Sequence, residues 1–282
     1  MSASPNFLYI GTSKAGSTWI FKVLSWHPQI HMYPGKDLGF FTSQFDRGWD
    51  WYSANFTPEP RQKIIGEVSH SYMISTQARD RIHATLPDAK LLVCLREPVE
   101  RTFSQYLDGI KNGKFEGTFE DALEKVPSLI DRSRYGTHIA QYLELFPREQ
   151  IHIASFDQLK TSPTQFAADM FAFLHVDPLE IPEKLGQKVL PAGTPRNRGI
   201  TMAAKKMASA AEEIGLVRLK GRVKTSPFIR NLLYKPYTTG ARPQMSAETK
   251  ARLREMMRGE VRLLDKVAGT DFANLWSYPE SG

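Results

Sequence analysis

Short apolar runs alternate with longer amphipathic segments along most of the chain. Four runs have the length of buried strands: 6–10, 63–68, 90–95 and 150–155. Five segments carry apolar residues at helical spacing: 17–26, 99–111, 135–146, 162–175 and 246–266. Because strands alternate with helices, the pattern predicts an α/β fold of three layers, in which a mostly parallel sheet is flanked by helices. We expect a single domain over residues 1–282.

The periodicity weakens between about 191 and 245, where glycine, proline and basic residues are scattered. The stretch from Arg196 to Arg242 carries eleven Lys or Arg and two Glu, whereas the whole chain has a net charge of +7. The excess positive charge is thus concentrated in this excursion from the core. The excursion lacks the interleaved aromatic residues typical of a nucleic-acid surface, and a basic rim that attracts a polyanionic cofactor or an acidic acceptor explains it equally well.

The sequence also bears on the cellular location of the protein. No apolar run approaches the ~20 residues that cross a bilayer, and the first residues lack the basic start and apolar core of a signal peptide. We therefore expect a cytoplasmic protein without a transmembrane segment. The single cysteine, Cys94, lies within an apolar run, and we expect a buried strand residue rather than a nucleophile.

A glycine-containing loop follows the first predicted strand and precedes the first predicted helix. Its sequence from Gly11 is GTSKAGSTW, so Lys14 precedes Gly16 by two residues and Ser17 follows that glycine directly. A nucleotide-triphosphate loop instead has its lysine after the second glycine, followed by the hydroxyl residue that binds magnesium. The loop is therefore P-loop-like: its backbone N–H groups and the helix N-terminus still favour an anion, but the charged side chain is displaced.

A second candidate site follows the strand predicted at 90–95. Arg96 comes directly after that strand, and Ser104 lies eight residues further on, in the next predicted helix. Ligands of open α/β sheets sit at the carboxyl ends of the strands. An arginine where a magnesium-dependent enzyme needs an aspartate indicates recognition of an anion without a metal.

Together these motifs resemble those of the sulfotransferases that use 3′-phosphoadenosine 5′-phosphosulfate. The segment KAGSTW at 14–19 resembles their 5′-phosphosulfate loop, and REPVERTFSQY at 96–106 resembles their 3′-phosphate motif. The two motifs occur in the family's order and on the corresponding elements. The resemblance covers about 7–175 and, more loosely, the last helix and Trp276.

The resemblance implies a role for each matching residue. Lys14 would contact the oxygen that bridges phosphate and sulfate, and Trp19 would stack on adenine or pack in the core. Arg96 and Ser104 would hold the 3′-phosphate, and Phe156 would lie near the base. The remaining donor-binding residues would be Ala15, Gly16, Ser17 and Thr18, through their backbone amides, and Arg196 and Arg198, from a late basic segment that closes over the 3′-phosphate.

The base that deprotonates the acceptor has three candidates. Asp37 starts the segment DLGFF, which is similar to a glutamate motif of the heparan-type members, with aspartate in place of glutamate. Glu67 matches the glutamate of a second family motif, in which Val68 replaces a lysine and His70 replaces a proline. His70 is a rival base, since other sulfotransferases use histidine. Residue types alone leave the choice among Asp37, Glu67 and His70 open.

The sequence as a whole therefore predicts a metal-independent transferase of sulfuryl groups to a hydroxyl. A saccharide acceptor is our first expectation and a lipid or secondary metabolite the next, and the aromatic residues Phe40, Phe41, Trp49, Trp51 and Tyr52 could stack on such an acceptor or belong to the core. We expect no nucleic-acid partner. Two alternatives stay open: a nucleotide kinase or NTPase with a degenerate loop, and a non-enzymatic module that binds anions or nucleic acid.

Overall fold

A parallel sheet of five strands forms the centre of the molecule. The computed structural model describes residues 4–186, 193–195, 234–236 and 243–278. The strands of the sheet are β1 (Phe7–Gly11), β2 (Ile30–Met32), β3 (Ile64–Val68), β4 (Lys90–Leu95) and β5 (Ile151–Ser155). Their order is β2-β3-β1-β4-β5, and every pairing is parallel. All five carboxyl ends therefore lie along one edge of the sheet, which confirms the predicted fold class.

Helices connect the strands and cover the sheet. They are α1 (Ser17–Trp26), α2 (Phe40–Ser43), α3 (Gly48–Ser53), α4 (Thr76–Thr85), α5 (Pro98–Lys111), α6 (Phe119–Lys125), α7 (Ser128–Asp131), α8 (Tyr135–Leu143), α9 (Phe156–Thr161), α10 (Pro163–Leu174), α11 (Glu183–Gly186), α12 (Ala247–Ala268) and α13 (Phe272–Leu275). Within the described residues no helix is both long and apolar enough to cross a bilayer.

Both faces of the sheet are buried because successive side chains of a strand point to opposite sides. In β1, Leu8 and Ile10 join a core that includes residues of α8 and α12. Phe7 and Tyr9 join a second core with residues of α1 and α10. All four side chains are fully buried, so β1 is the central strand of a three-layer arrangement.

The strands and long helices predicted from the sequence are present, with ends shifted by up to three residues. Strand β2 was not predicted, because only three residues pair and one of them is His31. Helix α4 was also missed: its mean hydropathy is low, and only Ala78 and Ile82 are buried, so it carries too weak an apolar pattern. Most of the basic excursion lies outside the described residues, but β6 (Gly193–Pro195) and β7 (Tyr234–Pro236) pair antiparallel within it.

The C-terminal part of the chain packs back on the sheet. Trp276 is buried; its ring stacks on Phe272 with 4.4 Å between centroids, and its Nε1 donates to Asp157 Oδ2 at 2.9 Å. Cys94 is fully buried in β4, as predicted, and burial raises the pKa of its thiol. Gly136 of α8 lies against the backbone of α12, where an added Cβ would sit 2.3 Å from Glu260 O.

We predict that replacing Gly136 by alanine separates these two helices. Gly136→Ala should lower the free energy of unfolding by about 1–3 kcal/mol, because backbone atoms cannot move aside as a flexible side chain can. Gly259, within α12, is the matched control, because a Cβ added there would meet no atom within 4 Å. Gly259→Ala should raise stability by about 0.5–1 kcal/mol through helix propensity. Urea unfolding measures both, and equal effects would contradict the close helix contact.

Candidate active site

The residues singled out by motif lie at the carboxyl edge of the sheet. The loop 12–16 follows β1, and segments beginning with Ser69, Arg96 and Phe156 follow β3, β4 and β5. Because these four strands are neighbours, the parallel topology gathers segments that are far apart in sequence.

The loop after β1 enters α1 through a left-handed turn. Gly16 precedes α1 with φ 84°, and no side chain caps the helix. A Cβ on Gly16 would lie 2.4 Å from Leu159 Cδ2, so the turn also requires the absence of a side chain. Uncapped N–H groups of a first helical turn are donors for an anion. No acidic residue occupies that turn, which leaves the positive end of the helix unopposed.

Lys14 and Arg96 lie beside each other at the carboxyl edge of the sheet, and the region that they share with Ser17 and Phe156 is called the cleft. Arg96 Nη1 is 3.5 Å from the carbonyl oxygen of Lys14, and Arg96 Nη2 is 3.5 Å from Glu100 Oε2. The Lys14 ammonium is 3.1 Å from Asp108 Oδ1. The cation of Arg96 also lies over the ring of Phe156, 5.3 Å from its centroid. Two cationic side chains and an uncapped helix N-terminus are therefore within reach of one polyanionic ligand.

Ser104 lies on the partly exposed side of α5, between Glu100 and Asp108 at intervals of four residues. Residues so spaced lie one turn apart on the same helix face. Since Glu100 contacts Arg96 and Asp108 contacts Lys14, Ser104 faces the cleft between these two cations. The structure thus brings together Lys14, Arg96, Ser104 and Phe156.

A chain of hydrogen bonds links Asp37, His70 and Ser17. His70 Nδ1 forms a short hydrogen bond with Asp37 Oδ1, which also accepts the backbone N–H of His70 at 3.1 Å. His70 Nε2 lies 2.7 Å from Ser17 Oγ. A proton on Nδ1 facing the carboxylate leaves Nε2 to accept from the serine hydroxyl, and we assign that tautomer. Burial alone would raise the pKa of Asp37, but the hydrogen bond and charge of His70 lower it to about 2.

Glu67 occupies a different place from the other two candidate bases. Its side chain is fully buried, and it accepts hydroxyl hydrogen bonds from Tyr52 at 2.9 Å, Tyr72 at 2.7 Å and Ser69 at 2.7 Å. Burial raises the pKa of Glu67, and these three donors oppose the rise. With both oxygens engaged inside the core, Glu67 has no face toward an acceptor.

The network around Glu67 holds the segment that carries Asp37. Ser69 Oγ accepts the backbone N–H of Gly39 at 3.1 Å, and Val68 O accepts that of Asp37 at 2.7 Å. The Glu67 carboxylate thereby fixes Ser69, and Ser69 fixes the turn after Asp37. This geometry gives Glu67 a structural part in the site, which differs from the direct contact that its motif predicts.

For several predicted aromatic residues the sequence left open a place at the ligand or in the core, and most of them lie in the core. Trp19 is buried, with Nε1 donating to Leu185 O at 2.5 Å and its ring edge-on to Phe166, so its surroundings are those of a core residue. Phe40, Phe41 and Tyr52 are also buried in the core. Trp49 and Trp51 pack against that core from partly exposed positions.

Two further residues of the loop segment, Ala15 and Thr18, contact other parts of the protein. Ala15 is fully buried, and Thr18 Oγ1 accepts from the Lys36 ammonium at 2.7 Å. Arg196 and Arg198 lie outside the described residues. Across the described part of the chain no three His, Cys, Asp or Glu side chains group as metal ligands.

The motifs did not identify two residues that contact the loop. Asp108 pairs with Lys14, and Lys36 donates to Thr18. A signal for Asp108 was present, since it lies one helical turn beyond Ser104. Lys36 directly precedes Asp37, but nothing in the sequence indicates its contact with Thr18.

The fold defines an α/β protein of P-loop-like architecture, with two cationic side chains and an uncapped helix N-terminus at the carboxyl edge of its sheet. Residues 4–267 match the family model of the sulfotransferase domain, and the chain therefore belongs to that family.

Sulfotransferases of other organisms share part of this sequence. The membrane-associated sulfotransferase kil1 of Dictyostelium discoideum is 34% identical over 155 residues, which cover 52% of this chain and 32% of that protein. Human heparan sulfate glucosamine 3-O-sulfotransferase 3B1 is 30% identical over 168 residues, covering 56% of this chain and 43% of that enzyme. The aligned parts thus span less than half of each relative's length.

Two solved structures share the fold. A sulfotransferase from Alicyclobacillus acidocaldarius superposes with a TM-score of 0.71 at 21% identity, covering 96% of this chain and 98% of that one. Mouse sulfotransferase SULT7A1 complexed with PAP gives a TM-score of 0.58 at 13% identity, covering 99% of this chain and 91% of that one. At these identities the likeness establishes the fold.

We predict that the Ser69 hydroxyl holds the Asp37 segment through Gly39. Ser69→Ala leaves one oxygen of Glu67 and the Gly39 N–H without partners, so the free energy of unfolding should fall by about 1–3 kcal/mol. Hydrogen exchange at the Gly39 amide should become faster than in the parent protein. Ser71→Ala is the control, because the Ser71 hydroxyl is partly exposed and lies 3.4 Å from Thr42 Oγ1. Unchanged Gly39 exchange in Ser69→Ala would contradict the network.

Proposed function

We propose that this protein transfers the sulfuryl group of 3′-phosphoadenosine 5′-phosphosulfate to an acceptor hydroxyl. The observation that carries the proposal is that Lys14 and Arg96 share one cleft, with Arg96 Nη1 3.5 Å from the Lys14 carbonyl oxygen. One nucleotide with anionic groups at its 5′ and 3′ positions can therefore meet both cations. Family membership gives independent support.

The residues of the cleft fit this donor. The uncapped amides at the start of α1, in the loop Ala15–Thr18, suit a 5′-phosphate, and Arg96 with Ser104 suits a 3′-phosphate. The bound donor supplies an electrophilic sulfuryl group on a phosphate leaving group. Lys14 provides an ammonium beside the loop, where it stabilises negative charge that develops on the departing oxygen. Phe156 packs beside both the loop and Arg96 and contributes an apolar wall.

His70 is the base that the geometry favours. Its Nε2 faces Ser17 at the start of α1, and therefore faces the end of the cleft where the sulfuryl group would lie. Asp37 holds the opposite ring nitrogen and stabilises the imidazolium that forms when His70 takes the proton of the acceptor. Asp37 itself, with its pKa lowered to about 2, is a weak base. Glu67 supports this pair from the core.

A saccharide hydroxyl is the acceptor we propose first, followed by a lipid or secondary metabolite. The name of the human relative, a heparan sulfate glucosamine 3-O-sulfotransferase, supports this order. Trp49 and Trp51 are partly exposed aromatic residues that follow the Asp37 segment in sequence, and they remain candidates for stacking on a sugar ring. An acceptor screen with radiolabelled donor, using saccharides and lipid alcohols in parallel, distinguishes the classes.

We predict that adenosine 3′,5′-bisphosphate stabilises the protein without magnesium. At 100 times the dissociation constant a ligand that binds only the folded state adds about 2.7 kcal/mol, which is a shift of several degrees in Tm. Adenosine 5′-monophosphate should give a smaller shift because Arg96 loses its anion. A larger shift with Mg-ATP than with the bisphosphate would favour a kinase or NTPase instead, and no shift with either would favour a binding module.

We predict that the pH dependence of turnover belongs to His70. Because Asp37 is ionised at every pH above about 2, it cannot give the acid limb of a rate profile near neutrality. His70→Ala should lower kcat by ~10²–10⁴-fold and abolish that limb. Asp37→Asn should move the limb to lower pH, because the imidazolium loses its neighbouring negative charge. If His70→Ala kept the limb while Asp37→Asn removed it, Asp37 would be the base.

A further inference from the structure

One face of α5 carries a regular set of polar residues directed at the cleft. Glu100, Ser104 and Asp108 follow one another at intervals of four residues and are partly exposed. The opposite side of the helix is buried in the core, through Val99, Phe103, Tyr106 and Leu107 among others. At 1.5 Å per residue the two carboxylate-bearing positions lie about 12 Å apart along the helix.

Both cations of the donor site are paired with this face. The Lys14 ammonium lies 3.1 Å from Asp108 Oδ1, and Arg96 Nη2 lies 3.5 Å from Glu100 Oε2. The side chains of Lys14 and Asp108 are 27% and 46% exposed, so the pair is within reach of solvent and of a ligand. An ion pair of this kind is weak enough to exchange partners.

Lys14 has a restricted choice of positions. Its backbone is left-handed, with φ 71°, and the loop is tied to β4 by the N–H of Thr12, which donates to Cys94 O at 3.2 Å. A lysine on a fixed loop cannot follow its partner over a long distance. Because Lys14 has a single positive charge, a carboxylate 3.1 Å from its ammonium competes for that charge with an anion bound at the start of α1.

From this competition we propose that Asp108 is a donor-site residue which sets the affinity for the nucleotide by holding Lys14 until the nucleotide binds. The proposal rests on the proposed function, since the nucleotide is the bisphosphate that such a transferase binds and releases. In the free protein the Asp108 carboxylate pairs with Lys14, as the 5′ anionic group of the nucleotide would. When the nucleotide binds, it displaces Asp108 from this ion pair. Asp108 thereby weakens binding of both donor and product and favours release of the product.

The proposal is tested by binding rather than by turnover. Isothermal titration measures the Kd of adenosine 3′,5′-bisphosphate for four proteins: the parent, Asp108→Asn, Lys14→Ala and the double variant. Asp108→Asn should bind about two- to fivefold more tightly than the parent, the range expected when a partly exposed ion pair no longer competes. In the Lys14→Ala background the same substitution should change Kd by less than about twofold, because the residue through which Asp108 acts is absent.

A charge-matched control separates this effect from general repulsion. Glu124 is exposed on α6, and Glu124→Gln removes one negative charge as Asp108→Asn does. Its Kd should equal that of the parent. Equal tightening by Asp108→Asn with and without Lys14 would overturn the proposal in favour of plain electrostatic repulsion. Unchanged or weaker binding in Asp108→Asn would also overturn it.

Failure of the proposed function gives a different result. If the parent protein did not bind the bisphosphate at all, the proposed function and the inference would both be refuted. If the parent bound it and the Asp108→Asn variant gained nothing, the transferase assignment would stand and the role of Asp108 alone would be wrong. In the steady state, the supporting outcome is a lower KM for the donor in Asp108→Asn with no rise in kcat.

Discussion

The left-handed turn at Gly16 is the constraint on which the candidate site depends. It brings the loop so close to α9 that a Cβ would overlap Leu159, and it places the uncapped end of α1 toward the cleft. The same turn sets Ser17 at the first helical position, where its hydroxyl meets His70. The uncapped amides, the position of Lys14 and the contact between Ser17 and His70 thus depend on one local backbone conformation.

Two buried charged residues hold the surrounding elements, and they do so with neutral partners. Arg101 of α5 is fully buried and donates to Ser133 Oγ at 2.6 Å and Leu129 O at 2.5 Å, while burial lowers its pKa to about 10. These bonds fix α5 to the segment around α7. Glu67 fixes the Asp37 segment through hydroxyl groups in the same way. Because a buried charge without its hydrogen bonds is strongly unfavourable, such networks have little freedom to rearrange.

Much of this candidate site could be predicted from the sequence, because the loop after β1 and the position of Arg96 are local features. The loop around Lys14 and Gly16, and the placement of Arg96 after a strand, each follow from a short motif and from the edge that parallel strands share. For Glu67 and Trp19, residue type gave little information about whether the side chain is buried. A motif fixes a position relative to a strand end, but burial depends on partners such as Tyr52 and Leu185, which lie far away in sequence. Pairwise contacts across the cleft could not be predicted for the same reason: the bond between Ser17 and His70 joins residues 53 positions apart.

The hydrogen bonds and ion pairs of the site are of two kinds, those that are buried and those that lie at the cleft. Glu67 and Arg101 are fully buried, and their hydrogen bonds cannot be exchanged for water or ligand without a large loss of stability. Lys14, Arg96 and Ser17 bond to groups at the cleft, where a ligand anion can replace Asp108, Glu100 or His70 as partner. The buried hydrogen bonds thus keep the site rigid, whereas the polar contacts at the cleft can be replaced by contacts with a ligand.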